Sequence, residues 1–167
     1  MLSYKYFDVA PTNIFKCEIN FYKMKVRIKR VDNSLSLPVH ETKGSVGFDL
    51  ICREEKIVSP TTAELIPVNI IVETPEKYML MLAPRGSMFR KKGLIVPNSI
   101  GVIDQDYCGD GDEIMMQVYN VTNEPVTVFR GEKLGQGIFV RIDQVEWEET
   151  NESMGGDRGG FGSTDSK

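Results

Sequence analysis

Two carboxylates and a phenol stand together in Gly101-Val102-Ile103-Asp104-Gln105-Asp106-Tyr107-Cys108-Gly109, at the end of an apolar, β-branched run. A carboxylate held beside a reacting centre can take a proton from water. A base works only if it is held in place, and Asn98, Ile100, Val102 and Ile103 supply strand character beside it. Gly101 and Gly109 permit close backbone approach or positive φ, so the spacing predicts a hairpin with Asp104 near its turn. The same residues also compose an ordinary acidic turn, since Asp and Gly favour turns for local reasons.

Other stretches carry groups that suit a charged ligand. In Pro84-Arg85-Gly86-Ser87-Met88-Phe89-Arg90-Lys91-Lys92-Gly93, Ser87 is placed to cap a short helix and Gly93 to end it in the left-handed conformation. A helix start beside Arg85 would offer amides, a hydroxyl and a cation to an anion; a solvated basic turn is the competing description. Asp49, between apolar neighbours, is suited either to bonding local amides or to orienting the water shell of a cation. Gln136 lies between Gly135 and Gly137, where it either presents its amide to a ligand or occupies a bulge. The glycine-rich end cannot fold alone, yet Arg158, Phe161, Ser163 and Thr164 are what a phosphate-clamping, base-stacking arm would need.

The elements that must position these groups are strands. The alternation Lys25 to Val31 predicts a half-buried strand, and further strands are expected after Gly47, from Ala63 to Val72, from Tyr78 to Ala83, from Glu113 to Val121, from Val126 to Phe129 and from Leu134 to Val145. The expected fold is all-β with one short helix. Residues 1–23 have no clear period and are assigned to an N-terminal extension, 24–150 to the β domain, and 151–167 to the glycine-rich arm.

Composition narrows the function. The 167 residues are 41% hydrophobic and 26% charged, ordinary for one soluble domain. A formal charge of −4 opposes duplex binding, so no nucleic-acid partner is expected. No apolar run approaches the ~20 residues of a membrane span, and the first residues lack a secretory pattern, so a cytoplasmic protein is expected. Cys17, Cys52 and Cys108 lack metal-site spacing, and His40 is the only histidine, which disfavours a structural zinc site or a Ser-His-Asp arrangement.

Taken together the segments resemble the five ordered motifs of the trimeric dUTPase family: Gly47-Phe48-Asp49-Leu50, Pro84-Arg85-Gly86-Ser87, Gly101-Val102-Ile103-Asp104-Gln105-Asp106-Tyr107, Gly131-Glu132-Lys133-Leu134-Gly135-Gln136 and Arg158-Gly159-Gly160-Phe161-Gly162-Ser163-Thr164. The resemblance implies a distorted jelly-roll-like β-barrel subunit, a homotrimer with shared active sites, and an arm that closes over the nucleotide. It implies hydrolysis of dUTP to dUMP and pyrophosphate with Mg²⁺ carried by the triphosphate. By the same resemblance Asp104 activates water. Arg85, Gly86, Ser87, Gln136, Arg158, Ser163 and Thr164 hold phosphates. Asn98, Gly101, Val102, Ile103, Tyr107 and Phe161 contact uracil and deoxyribose, and Asp49 reaches the metal through water.

Two positions depart from the family pattern. Gly86 stands where serine usually follows the arginine, and Lys133 stands where arginine is common, keeping charge without the planar fork. Gly86 opens one alternative, a slow or inactive dUTP-binding regulatory protein. A dCTP deaminase of the same superfamily is less favoured, because Gln117 occupies the position of its glutamate and an amide cannot shuttle protons.

Overall fold

The computed structural model describes residues 24–157 and residue 159. Short β-branched runs interrupted by proline and turn residues make short strands, and the chain folds as β1 (Ile28–Arg30), β2 (Phe48–Ile51), β3 (Lys56–Val58), β4 (Ala63–Pro67), β5 (Ile70–Val72), β6 (Tyr78–Pro84), α1 (Met88–Lys92), β7 (Leu94–Ile95), β8 (Gly101–Ile103), β9 (Met115–Asn120), β10 (Val126–Val128) and β11 (Lys133–Arg141). Strands far apart in sequence pair to form a four-stranded sheet, β2-β11-β6-β8, and a three-stranded sheet, β4-β9-β7. Two-stranded sheets β1-β5 and β10-β3 complete the arrangement. Every pairing is antiparallel, and the subunit is the expected distorted jelly-roll-like fold with one short helix.

One core holds the sheets together. Leu50, Val58, Ile66, Ile70, Leu80, Leu94, Ile114, Val118 and Val128 are fully buried within it. Removing such side chains from water is the main stabilising contribution, about 1.5–3 kcal/mol for each large aliphatic. Cys52 belongs to the same core, and burial pushes its thiol up to about 12, so it stays protonated and packs as an apolar group. Among the described residues no helix is long and apolar enough to cross a membrane.

Several expected strands are interrupted. The run from Ala63 to Val72 divides at Asn69, whose φ of 67° takes it out of the strand conformation. That conformation is held by the Asn69 side chain, which accepts from Asp32 N–H at 2.7 Å and donates to Asp32 O at 3.1 Å. The first strand narrows to β1, and β11 ends at Arg141.

The expected hairpin around Asp104 does not form. β8 pairs with β6 instead, Leu82 opposite Gly101 and Leu80 opposite Ile103. The chain from Asp104 to Ile114 is a loop with its own turns, closed where Cys108 N–H bonds Asp106 O at 3.0 Å and Asp112 N–H bonds Gly109 O at 3.0 Å. Local turn propensity marked the right place, but the strand took a partner from elsewhere in the sheet.

Candidate active site

The charged part of the site is built where β2, an edge strand of the four-stranded sheet, pairs with the interior strand β11. Asp49 of β2, Gln136 of β11 and Ala83 of β6 lie in register across the four-stranded sheet. Register slips between Lys133 and Gly135, and Arg85 continues the pairing just past β6 by donating its N–H to Leu134 O at 2.9 Å. Asp49, Gln136 and Arg85 line a cavity of about 260 Å³ together with Glu41, Gly47 and Gly86. Gly47 is needed there: a Cβ would lie 2.8 Å from Gln136 Oε1. The glycines flanking Gln136 serve packing, since a Cβ at Gly135 would meet Met116 Sδ at 2.4 Å and one at Gly137 the Phe48 ring at 2.5 Å.

Asp49 is 8% exposed and therefore needs partners for its charge. Arg85 Nε lies 3.3 Å from Oδ1 and Lys133 Nζ lies 3.0 Å from Oδ2, the latter an ion pair without the alignment of a hydrogen bond. Lys133 also pairs with Glu41, and that carboxylate, followed by Asp49, raises the pKa of the ammonium. Both cations are thus held beside the cavity by carboxylates. Glu41 has no signature in the sequence; its partner is 92 residues away.

The short helix contributes less than expected. Gly93 ends it at φ 64°, ψ 26°, as predicted, but Ser87 makes no capping bond with its side chain. A helix of five residues also has a small dipole, so Arg85 supplies the positive charge. Gly86 lines the cavity, and a Cβ built there meets nothing within 4 Å. Lys92 turns away: it pairs with Glu132 at 2.9 Å, donates to Thr127 O at 2.6 Å and covers the Phe129 ring.

A second cavity of about 220 Å³ lies between the edge strand β8 and residues of β4 and β9 in the three-stranded sheet. Asn98, Gly101, Val102 and Ile103 line it with Leu82, Met115 and Gln117. Asn98 sits in a tight turn in which Ser99 adopts φ 66° and donates to Val96 O at 3.0 Å. Gly101 allows β8 to lie close on β6, where an added Cβ would come within 3.1 Å of the Leu82 side chain.

Asp104 and Tyr107 follow this edge strand and line neither cavity. Asp104 is exposed, and Gln105 anchors the turn by donating to Tyr78 O at 3.1 Å. Tyr107 donates its hydroxyl to Glu113 O at 3.3 Å. Continuing the β6–β8 register puts Asp104 level with Met79, five residues from Pro84. At ~3.3 Å per residue that is roughly 16 Å along the sheet. One copy of the chain brings Asp49, Arg85, Gly86 and Gln136 together around one cavity, brings Asn98 and Gly101 to Ile103 together around the other, and leaves Asp104 and Tyr107 at neither. Arg158, Phe161, Ser163 and Thr164 lie outside the described residues, as does the N-terminal extension 1–23.

The family model described as dUTPase matches residues 33–165. A deoxyuridine 5'-triphosphate nucleotidohydrolase of Hydrogenobaculum sp. (strain Y04AAS1) is 36% identical over 147 residues, 86% of this chain and 100% of that protein. The crystal structure of dUTPase from Streptococcus mutans superposes with a TM-score of 0.67 at 30% identity, covering 72% of this chain and 98% of the other. The dUTPase of Staphylococcus bacteriophage 80alpha, solved with dUpNHpp, shares the fold with a TM-score of 0.73 at 20% identity over 85% of this chain and 99% of its own.

Proposed function

The chain belongs to the dUTPase family, and from that premise we propose that it hydrolyses dUTP to dUMP and pyrophosphate in sites shared between the subunits of a homotrimer. The observation that carries the shared site is the position of Asp104: it lines neither cavity and lies roughly 16 Å along the sheet from the end of β6, a gap that is closed if the Asp104 loop of one copy faces the charged cavity of another.

In that arrangement Asn98 and the backbone of Gly101 to Ile103 read the uracil edge. A cytosine leaves buried partners unpaired, which is a strong source of discrimination. Tyr107 packs on the deoxyribose and leaves no room for a 2′-hydroxyl. Asp104 accepts a proton from the water that attacks the α-phosphorus; the P–O bond to the leaving pyrophosphate breaks as the new one forms. Asp104 is a weak base, so position and charge stabilisation supply much of the rate.

Arg85, Gly86, Ser87 and Gln136 hold the phosphates, and Arg158, Ser163 and Thr164 close on them from the arm while Phe161 covers the base. Mg²⁺ fits this donor set when the substrate brings it. Among the described residues no group of three or more His, Cys, Asp or Glu forms a cage, whereas Mg²⁺ typically uses one or two carboxylates with substrate phosphates and water. When bound it would neutralise charge that develops on the phosphate oxygens. Asp49, with an oxygen that lacks a hydrogen bond, would orient one of its waters while keeping Arg85 and Lys133 in place.

Pyrophosphate release with Mg²⁺ tests the reading, with dCTP, dTTP and UTP as parallel substrates. Release confined to dUTP is expected. Tight dUTP binding without turnover would leave a binding protein, and ammonia from dCTP would mean deamination.

A further inference from the structure

The loop that carries Asp104 and Tyr107 is tied to the body near its start by Gln105, which donates to Tyr78 O at 3.1 Å, and at its end by a shielded carboxylate. Glu113 ends the loop, and its side chain is 14% exposed. Arg53 Nε donates to both Glu113 oxygens, at 2.8 and 3.1 Å, and Asn69 N–H donates to Oε1 at 2.9 Å. The carboxylate, through its hydrogen bonds, raises the pKa of the Arg53 guanidinium. Asn69 is itself locked to Asp32 by two hydrogen bonds. Ile114, the next residue, is fixed by backbone bonds with Val68 and Ile70. The backbone carbonyl of this clamped residue receives the Tyr107 hydroxyl.

The other cross-chain tie of the loop's far turn, Lys29 to Asp110 at 2.7 Å, joins side chains that are 59% and 96% exposed. Such a pair is screened and holds little. A carboxylate shared by a guanidinium and a backbone amide, mostly out of water, is far stiffer.

From this geometry we infer that Glu113 is a positioning residue: clamped by Arg53 and Asn69, it fixes the carbonyl that grips Tyr107 and so sets the loop that presents Tyr107 and Asp104 to the nucleotide. The inference rests on the dUTPase reading for its link to selectivity. It assigns Glu113 and Arg53, which belong to none of the five motifs, a part in rejecting ribonucleotides.

Glu113→Gln keeps an acceptor for the Asn69 amide and removes the charge that Arg53 grips. Tyr107→Phe keeps the ring and removes the bond to Glu113. In the full chain, both are expected to speed amide hydrogen exchange in residues 104–112 while leaving β6 and β11 unchanged, and Asp110→Asn is expected to leave the loop as it is. The ratio of kcat/KM for dUTP over UTP should fall about tenfold in Glu113→Gln, part of the ~10²-fold that a misplacement near 1 Å can cost. Because both changes act through one connection, the double variant should lose scarcely more selectivity than either single one.

Unchanged exchange in the loop, or a lower Tm with the dUTP over UTP ratio intact, would overturn the inference and leave Glu113 a structural residue. Tyr107→Phe alone decides if Glu113→Gln does not fold. If the wild-type protein releases no pyrophosphate from dUTP, the functional reading fails while the exchange result still decides whether Glu113 holds the loop.

Discussion

The charged cavity and the cavity beside β8 both draw on the four-stranded sheet and are prepared in opposite ways. The charged one lies where β2, one edge strand, pairs with β11 near the end of β6, and its working groups are side chains already paired: Arg85 and Lys133 with Asp49, and Lys133 again with Glu41. The second lies between β8, the opposite edge strand, and residues of β4 and β9 in the three-stranded sheet, with a tight turn before β8 and a long loop after it. On the proposed reading an incoming phosphate would exchange partners with carboxylates, whereas an incoming base would meet the backbone of β8, which has no neighbour on its outer side. The cations beside the first cavity are kept in place by neutralisation.

Changing one region at a time tests that contrast. The largest expected effect is on the β8 side: Asp104→Asn lowers kcat by about 10²–10⁴-fold with dUTP affinity largely kept. Single-turnover rates and equilibrium binding on the same preparation measure both, and retained activity would remove Asp104 from its role. On the charged side, Gly86→Ser places a hydroxyl where the structure has open space and no positive φ. Turnover is expected to rise, on the order of 10²-fold for one added transition-state donor; steady-state kinetics would show it, and an unchanged rate would assign the role to Ser87.

Glu41→Gln releases Lys133 from one of its two carboxylates. KM for dUTP should fall only a few-fold, the size typical of a partly exposed ion pair, and the gain should fade with added salt. Equal KM at low salt would show that pairing does not restrain the cations.

The smallest effect lies outside both cavities. Ser34, first through its hydroxyl, and then Arg130 hold the Asp32 carboxyl well below the ordinary carboxylate value of 3.8. A depressed folded-state pKa adds stability above the unfolded value, and that stability is lost as pH falls below about 3.8 toward the folded value. The Tm difference between wild type and Asp32→Asn should therefore be constant near neutrality and shrink below about pH 4.

Much of this molecule is visible in local sequence. Alternation located most strands, because the side-chain period of a strand is a property of neighbours. Gly93 ended its helix where only a left-handed residue would serve, and the motif residues Asp49, Arg85, Gly86 and Gln136 converged on one cavity. Asn69 escaped notice because a break inside an apolar run depended on a distant partner, Asp32.

What local sequence could not carry was pairing across the chain. Composition and spacing established an all-β domain, its turns and the residues able to do chemistry. Folding then paired β8 with β6, joined Glu41 to Lys133 across 92 residues and Arg53 to Glu113 across 60, and set the base apart from the phosphate cation. The physical reason is range: turn and strand preferences act over a few residues, whereas ion pairs and sheet partners form only once the core has brought distant segments together.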